Sequence, residues 1–260
     1  MFEIAAILLG LITGSFLNVC MLRLPKEESV VFPASHCVHC RKPIAWFDNV
    51  PLVSFLLLKG KCRHCGVKIS WQYFIVEAVT GVLFVVFYRF FGFTAQGVVY
   101  LILSLALLVQ SVIDARHKII PDEITLPGIV AGIIFSAVFP QLQGQTIWWR
   151  GLLGSAAGVL AGGGFLFLVG TLAEWVLKKE AMGGGDVKLL AMVGSVIGVQ
   201  GVFWTVFCAS LVGSVIGIYF RWKTGDELIP FGPYLAFGAF SYLFVGQGFI
   251  QWYFRYFVSG

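Results

Sequence analysis

The chain has 260 residues, of which 58% are hydrophobic and only 12% are charged, against about 25% charged in a soluble globular protein. A mean hydropathy of +0.89, with 25 phenylalanines and 8 tryptophans, excludes the soluble, disordered and fibrous classes and makes membrane spans the first thing to count. The net charge of +5 does not point to nucleic acid, because the basic residues are not clustered with stacking aromatics on a separate soluble domain.

The first apolar element covers residues 2–21, "FEIAAILLGLITGSFLNVCM", preceded by Met1. It has no basic start and carries Glu3, so it is expected to stay in the membrane as a span rather than leave as a signal peptide. Loop 22–71 follows, much too long for a bare connection and too short for a large apolar core. It holds Cys37-x2-Cys40 and Cys62-x2-Cys65 with 21 residues between the pairs. Two such knuckles point to a tetrahedral four-thiolate zinc site. A rubredoxin-like iron and redox cysteine pairs are the alternatives. Four cysteines leave no open position, so the zinc is expected to be structural and to contribute to folding of the loop. His36, His39 and His64 flank the ligands.

Span 72–89 carries Glu77 in "YFIVEAVTG", expected to face the bundle or a polar cavity in a structural or substrate-channel role. Span 97–115 ends on Asp114 in "LLVQSVIDARHKIIPDE", and Asp122 after Pro121 is placed to cap span 124–140 together with Glu123. Span 151–173 is glycine-rich, which suits close helix packing in lipid. Next comes "EAMGGGDVKLLAMVG", residues 180–194, in which three glycines lead into Asp186. The apolar run 189–220 is too long for one crossing, so a tight turn is predicted near "GVQG", 198–201, giving spans 187–199 and 201–220. A last span covers 231–254. Cys20 and Cys208 lie in spans and are expected to pack there. The fold class is thus an all-α polytopic membrane protein with about eight transmembrane helices and a cytoplasmic zinc-binding loop domain.

Of the 18 basic residues, all but Arg89, Arg150 and Arg255 fall in the alternate loops 22–71, 116–123, 174–188 and 221–230. The positive-inside rule makes these loops cytoplasmic, with both termini outside. Asp114 and Asp186 then share the cytoplasmic edge. Acidic groups beside apolar spans are costly and by default functional. If the two carboxyls meet, they can share a proton and act together as acid and base. Each is also suited to capping a helix or facing water, and sequence distance does not make them neighbours. The glycines before Asp186 allow the backbone to bend and a substrate strand to approach. Lys188, two residues on, is expected to anchor topology or face lipid rather than act as a base.

These residues together resemble the prepilin peptidases, membrane aspartic proteases of type IV pilus, type II secretion and competence systems. The resemblance runs through "GSFLNVCMLRLP", both cysteine knuckles, "NVPLVSFLLLKGKC", "DARHKIIPDEIT", "GGGDVKLL" and "IPFGPYLAFG". "GGGD" alone also resembles presenilin-type proteases. The resemblance places Asp114 and Asp186 in the two catalytic positions. It implies cleavage, at the cytoplasmic face of a bacterial inner membrane, of a basic leader from prepilins or pseudopilins with an apolar helix. It also implies N-methylation of the new terminus with S-adenosylmethionine, whose binding residues are not assigned. On this basis the chain divides into a first helix 1–21, a zinc loop and methyltransferase region 22–71, and a protease bundle 72–260. Two rivals stand beside the bifunctional enzyme: a leader peptidase without methyltransferase activity, and a non-enzymatic transporter or assembly scaffold. A transporter calls for ionisable groups along a path near mid-membrane, whereas both aspartates are predicted on one face.

Overall fold

A computed structural model describes residues 2–178, 183–224 and 230–257. Lys179, a loop charge in the topology, Glu180–Met182 of the glycine segment and Ile229 of "IPFGPYLAFG" lie outside them. The described residues are helical, with two isolated β-bridges and no longer strand. The chain forms two compact units, Met1–Leu101 and Ile102–Gly260.

In the first unit, α1 (Phe2–Arg23) packs on α3 (Trp71–Phe91). Small residues set their separation: a Cβ on Gly10 would stand 2.7 Å from Gly81 Cα, and one on Gly14 would stand 2.8 Å from Glu77 Cα. Glu3 and Arg89 pair at 2.9 Å, so the start of α1 meets the end of α3. The loop between them contains the short helix α2 (Val53–Leu57), and its Phe55 ring lies on Trp71 and Phe74. Ser70 caps α3 by accepting from Gln72 N.

Helix α4 (Ala95–His117) leads to the second unit, which contains α5 (Asp122–Val138), α6 (Trp148–Leu177), α7 (Gly184–Thr224), α8 (Gly232–Ser241) and α9 (Gln247–Phe257). A straight α7 of 41 residues would run about 60 Å, twice the hydrocarbon thickness of a bilayer. It is instead two legs, broken at Gly198 with φ 70° and ψ −175°, backbone that is essentially glycine's own. A Cβ on Gly194 would stand 2.9 Å from Val202 Cγ2, although eight helical residues rise about 12 Å, so the chain turns back on itself. The break frees carbonyl groups that lipid cannot satisfy. Gln143 Nε2 donates to Ser195 O and Val196 O, both at 3.1 Å, and Ser136 and Ser155 donate to Ser195 O at 2.9 and 2.6 Å.

The two legs differ in surroundings. Leu189 to Gly198 are buried all round, as in a helix inside protein rather than against lipid. Gly158 of α6 and Gly194 meet backbone to backbone there. The second leg exposes Phe203, Phe207, Leu211, Val215 and Ile218, an apolar stripe at helical spacing that suits lipid. Among the described residues, five helices are long and apolar enough to cross a membrane: Phe2–Lys26, Trp71–Phe91, Ala95–His117, Trp148–Val176 and Gly184–Phe220. The last of these contains the turn at Gly198. Helix α5, at 17 residues, is just under a usual span length, and the final segment 231–254 is interrupted by a π-helical turn at Tyr242–Gly246. The protein is therefore all-α and polytopic, with five span-length helices among the described residues, the last of them folded into two legs at Gly198.

Candidate active site and metal centre

Asp114 lies in the last turn of α4 and is 6% exposed. Its Oδ2 accepts from Gly232 N at 2.9 Å. That N–H belongs to the first turn of α8, where Pro233 supplies no donor, so the positive end of the α8 dipole is aimed at Asp114. Gly232 is needed here for space: a Cβ would stand 2.7 Å from Asp114 Oδ2.

Asp186 lies in the first turn of α7, and its charge reaches Asp114. The two aspartates, 72 residues apart in sequence, thus stand at helix ends within electrostatic range of each other. Asp186 Oδ1 is buried with no hydrogen-bond partner in the structure. Of the glycines before it, Gly185 has a steric reason, since a Cβ would stand 2.9 Å from Ile120 Cβ, whereas the space around Gly184 is open. Lys188 does not join the aspartates. Its Nζ binds both oxygens of Asp122 at 2.8 and 2.7 Å, linking the starts of α5 and α7. Asp122 is the first residue of α5 rather than its cap, a place taken by Pro121, and it suits the helix dipole there. Sequence reasoning missed Gly232 as the partner of Asp114. The motif "IPFGPYLAFG" held the signal, in a glycine followed by a helix-starting proline.

In the first unit, Cys37, Cys40, Cys62 and Cys65 bring their sulfurs within 4.8 Å of one another. The two knuckles are built alike. Cys37 N donates to Lys42 O and Arg41 N to Cys37 O, and Cys62 N donates to Val67 O and Gly66 N to Cys62 O, all at 2.9 Å. Positive φ at Arg41 (58°) and Gly66 (71°) closes each turn. Zinc–sulfur bonds of about 2.3 Å in a tetrahedron separate sulfurs by about 3.8 Å. Cys37 Sγ and Cys65 Sγ lie 3.9 Å apart, so the residues fit a bound metal ion. The backbone N–H groups of Cys65 and His64 pull the Cys62 thiol down to about 6, whereas the Cys65 thiol, against the pull of the Val67 N–H, is pushed up to about 11 by burial and the neighbouring sulfurs, so Cys62 is the ligand most ready to be a thiolate. None of His36, His39 and His64 belongs to the cluster, and His36 Nδ1 is engaged 3.0 Å from Ala34 O. Arg63 holds Asp48 through two bonds of 2.7 and 2.6 Å, tying the second knuckle to the turn Trp46–Asn49.

A polytopic helical protein with two interacting carboxyls at helix ends has the makings of a membrane aspartic protease. Residues 8–91 match the bacterial peptidase A24 N-terminal domain, and residues 101–218 match the type IV leader peptidase family. The chain is 36% identical to a prepilin leader peptidase/N-methyltransferase of Xanthomonas campestris pv. campestris, over 97% of this chain and 94% of that one. It is likewise 36% identical to a protein of the same name from Pseudomonas aeruginosa, over 98% and 94%. It is 35% identical to a type 4 prepilin-like proteins leader peptide-processing enzyme of Escherichia coli, over 91% of each. No solved structure matches the chain. This protein belongs to the type IV leader peptidase family.

Proposed function

We propose that this protein removes the leader of type IV prepilins or pseudopilins and then methylates the new amino terminus. The observation that carries the protease assignment is the buried, unpartnered Asp186 Oδ1 within electrostatic reach of Asp114. Such an oxygen is a ready acceptor for a water proton. With one proton shared between the pair, one carboxylate takes a proton from water as the water oxygen attacks the scissile carbonyl. The other carboxyl gives its proton to the carbonyl oxygen. The tetrahedral intermediate collapses when the leaving nitrogen is protonated. Gly232 N–H holds Asp114 in orientation for these transfers.

The basic loops support a cytoplasmic site in the inner membrane of a bacterium. The substrate's apolar helix enters from the bilayer while its basic leader stays in the cytoplasm. Cys37, Cys40, Cys62 and Cys65 hold one structural zinc ion, which joins the two knuckles and leaves no position for a substrate. The relatives' names support methyl transfer, with S-adenosylmethionine as donor. Among the described residues no strand precedes a glycine-rich turn, so they form no dinucleotide-type cradle for that donor.

Incubation of the protein with a prepilin and S-adenosylmethionine, followed by mass analysis, tests both activities. Leader loss distinguishes an enzyme from a scaffold, and an added methyl group distinguishes the bifunctional enzyme from a simple peptidase. Asp114→Asn and Asp186→Asn are each expected to abolish cleavage in a folded protein. Near-normal turnover by either folded variant refutes the dyad.

A further inference from the structure

The first unit contains a buried carboxyl that the proteolytic chemistry leaves unused. Glu77 of α3 is 7% exposed. Its Oε2 accepts from Leu52 N at 2.8 Å, and the Ser15 side chain of α1 faces the same carboxyl. Both are neutral groups. Among the described residues no ion pair includes Glu77. Arg23, the buried cation of this unit, directs its guanidinium to Ser29 O at 2.9 Å and Pro33 O at 2.7 Å. A buried carboxylate without a cation is costly unless it takes up a proton or a positively charged partner.

A second orphan lies on the same helix pair. Asn18 is 1% exposed, and its Nδ2 is used by Gly14 O and Tyr73 O at 3.3 and 3.2 Å. Its Oδ1 is buried with no partner. Tyr73 is one helical turn before Glu77, and Ser15 is one turn before Asn18, so both acceptors belong to one stretch of the α1–α3 interface. A carboxylate and an amide oxygen together ask for a positively charged N–H donor. A primary ammonium meets both demands; the methyl donor also carries one on its amino-acid part, so binding of the substrate amine has to be read with the donor absent.

The covering group is Leu52 N–H, carried on backbone with φ 59° and ψ −47°. That conformation is uncommon for a leucine, and it belongs to a loop rather than to a packed helix. An incoming amine N–H can take over the place of Leu52 N–H on Glu77. We infer that Glu77 and Asn18 form the site that receives the free α-amine of the processed substrate for methylation. This rests on the methyltransferase assignment above. The carboxylate is also an acceptor for the proton that an ammonium sheds before its nitrogen lone pair is free.

The test uses the full chain in lipid nanodiscs, without methyl donor. A peptide copying the mature apolar N-terminus is bound with its amine free or acetylated. The wild type is expected to favour the free amine by roughly tenfold, the scale of a hydrogen bond to a charged group. Glu77→Gln retains an acceptor for Leu52 N–H but loses the charge, and is expected to bind both peptides alike. Asp186→Asn is expected to keep the preference. In the presence of donor and prepilin, Glu77→Gln is expected to release unmethylated mature product. No preference in the wild type, or preference and methylation both retained in Glu77→Gln, overturns the site, as does preference lost only in Asp186→Asn. If the wild type adds no methyl group at all, the methyltransferase assignment fails by itself, and the donor-free binding still decides whether the amine is held here.

Discussion

Gly232 has no side chain to conserve charge or shape, yet it meets Asp114 from 118 residues away. A methyl group in its place would stand 2.7 Å from Asp114 Oδ2, so Gly232→Ala must move the carboxyl or the start of α8. A misplacement of about 1 Å at a reacting centre costs roughly a hundredfold in rate. Gly232→Ala is therefore expected to cut leader cleavage by about that factor while the protein stays folded, measured as initial rates beside a thermal-unfolding probe. A near-wild-type rate means that the Gly232–Asp114 contact does not position the carboxyl. Asp114 and Asp186 stand out in the sequence as candidates because carboxyls beside apolar runs are rare and costly. Their electrostatic proximity does not, since it depends on where the fold places the ends of α4 and α7. Gly232 was harder still, because its contribution is a backbone N–H, which every residue but proline carries.

At the scale of elements, the turn in α7 was readable from length alone, since an apolar run of that size exceeds a bilayer. What length did not reveal is that the part of the first leg from Leu189 to Gly198 is buried within protein. Gln143, which satisfies the freed carbonyls, sits in the turn Pro140–Gln143 and carries no pattern that marks it. The knuckles were the reverse case: ligand spacing made them plain, and the repeated backbone bonds at Cys37 and Cys62 explain how the chain meets that spacing. They also imply a pH dependence. The Cys62 thiol is pulled down to about 6 and the Cys65 thiol of the same cluster pushed up to about 11, on either side of the ordinary value of about 8.5, so neither thiol alone sets the release pH. Metal competes with protons for all four thiolates. Metal is therefore expected to be retained at pH 7 and released as the pH falls into the acid range, followed by elemental analysis after dialysis at each pH. Release already complete at pH 7 contradicts thiolate ligation by this cluster.

For the whole molecule, the two compact units divide at Leu101 and Ile102, at the start of the second family match, which begins at residue 101 after the first has ended at residue 91. Helix α3 clusters with the N-terminal unit, as do the knuckles and Glu77. Asp114, Asp186 and Gly232 all belong to the second unit. On the proposal that the N-terminal unit carries methyl transfer, damage to that unit is expected to separate the two activities. The metal loop is the place to apply it, because a small loop that relies on its metal for folding loses order when a ligand is removed, while a helical bundle in lipid does not depend on it. A Cys62→Ser Cys65→Ser variant is expected to lose bound metal and to methylate poorly, yet still to cleave prepilin detectably. Some loss of cleavage is compatible with the loop guiding the basic leader. Both products are read in one mass spectrum of the mature N-terminus, with the metal content of the same sample as the check that the cluster was destroyed. Normal methylation with cleavage abolished reverses the division and assigns the loop to the protease.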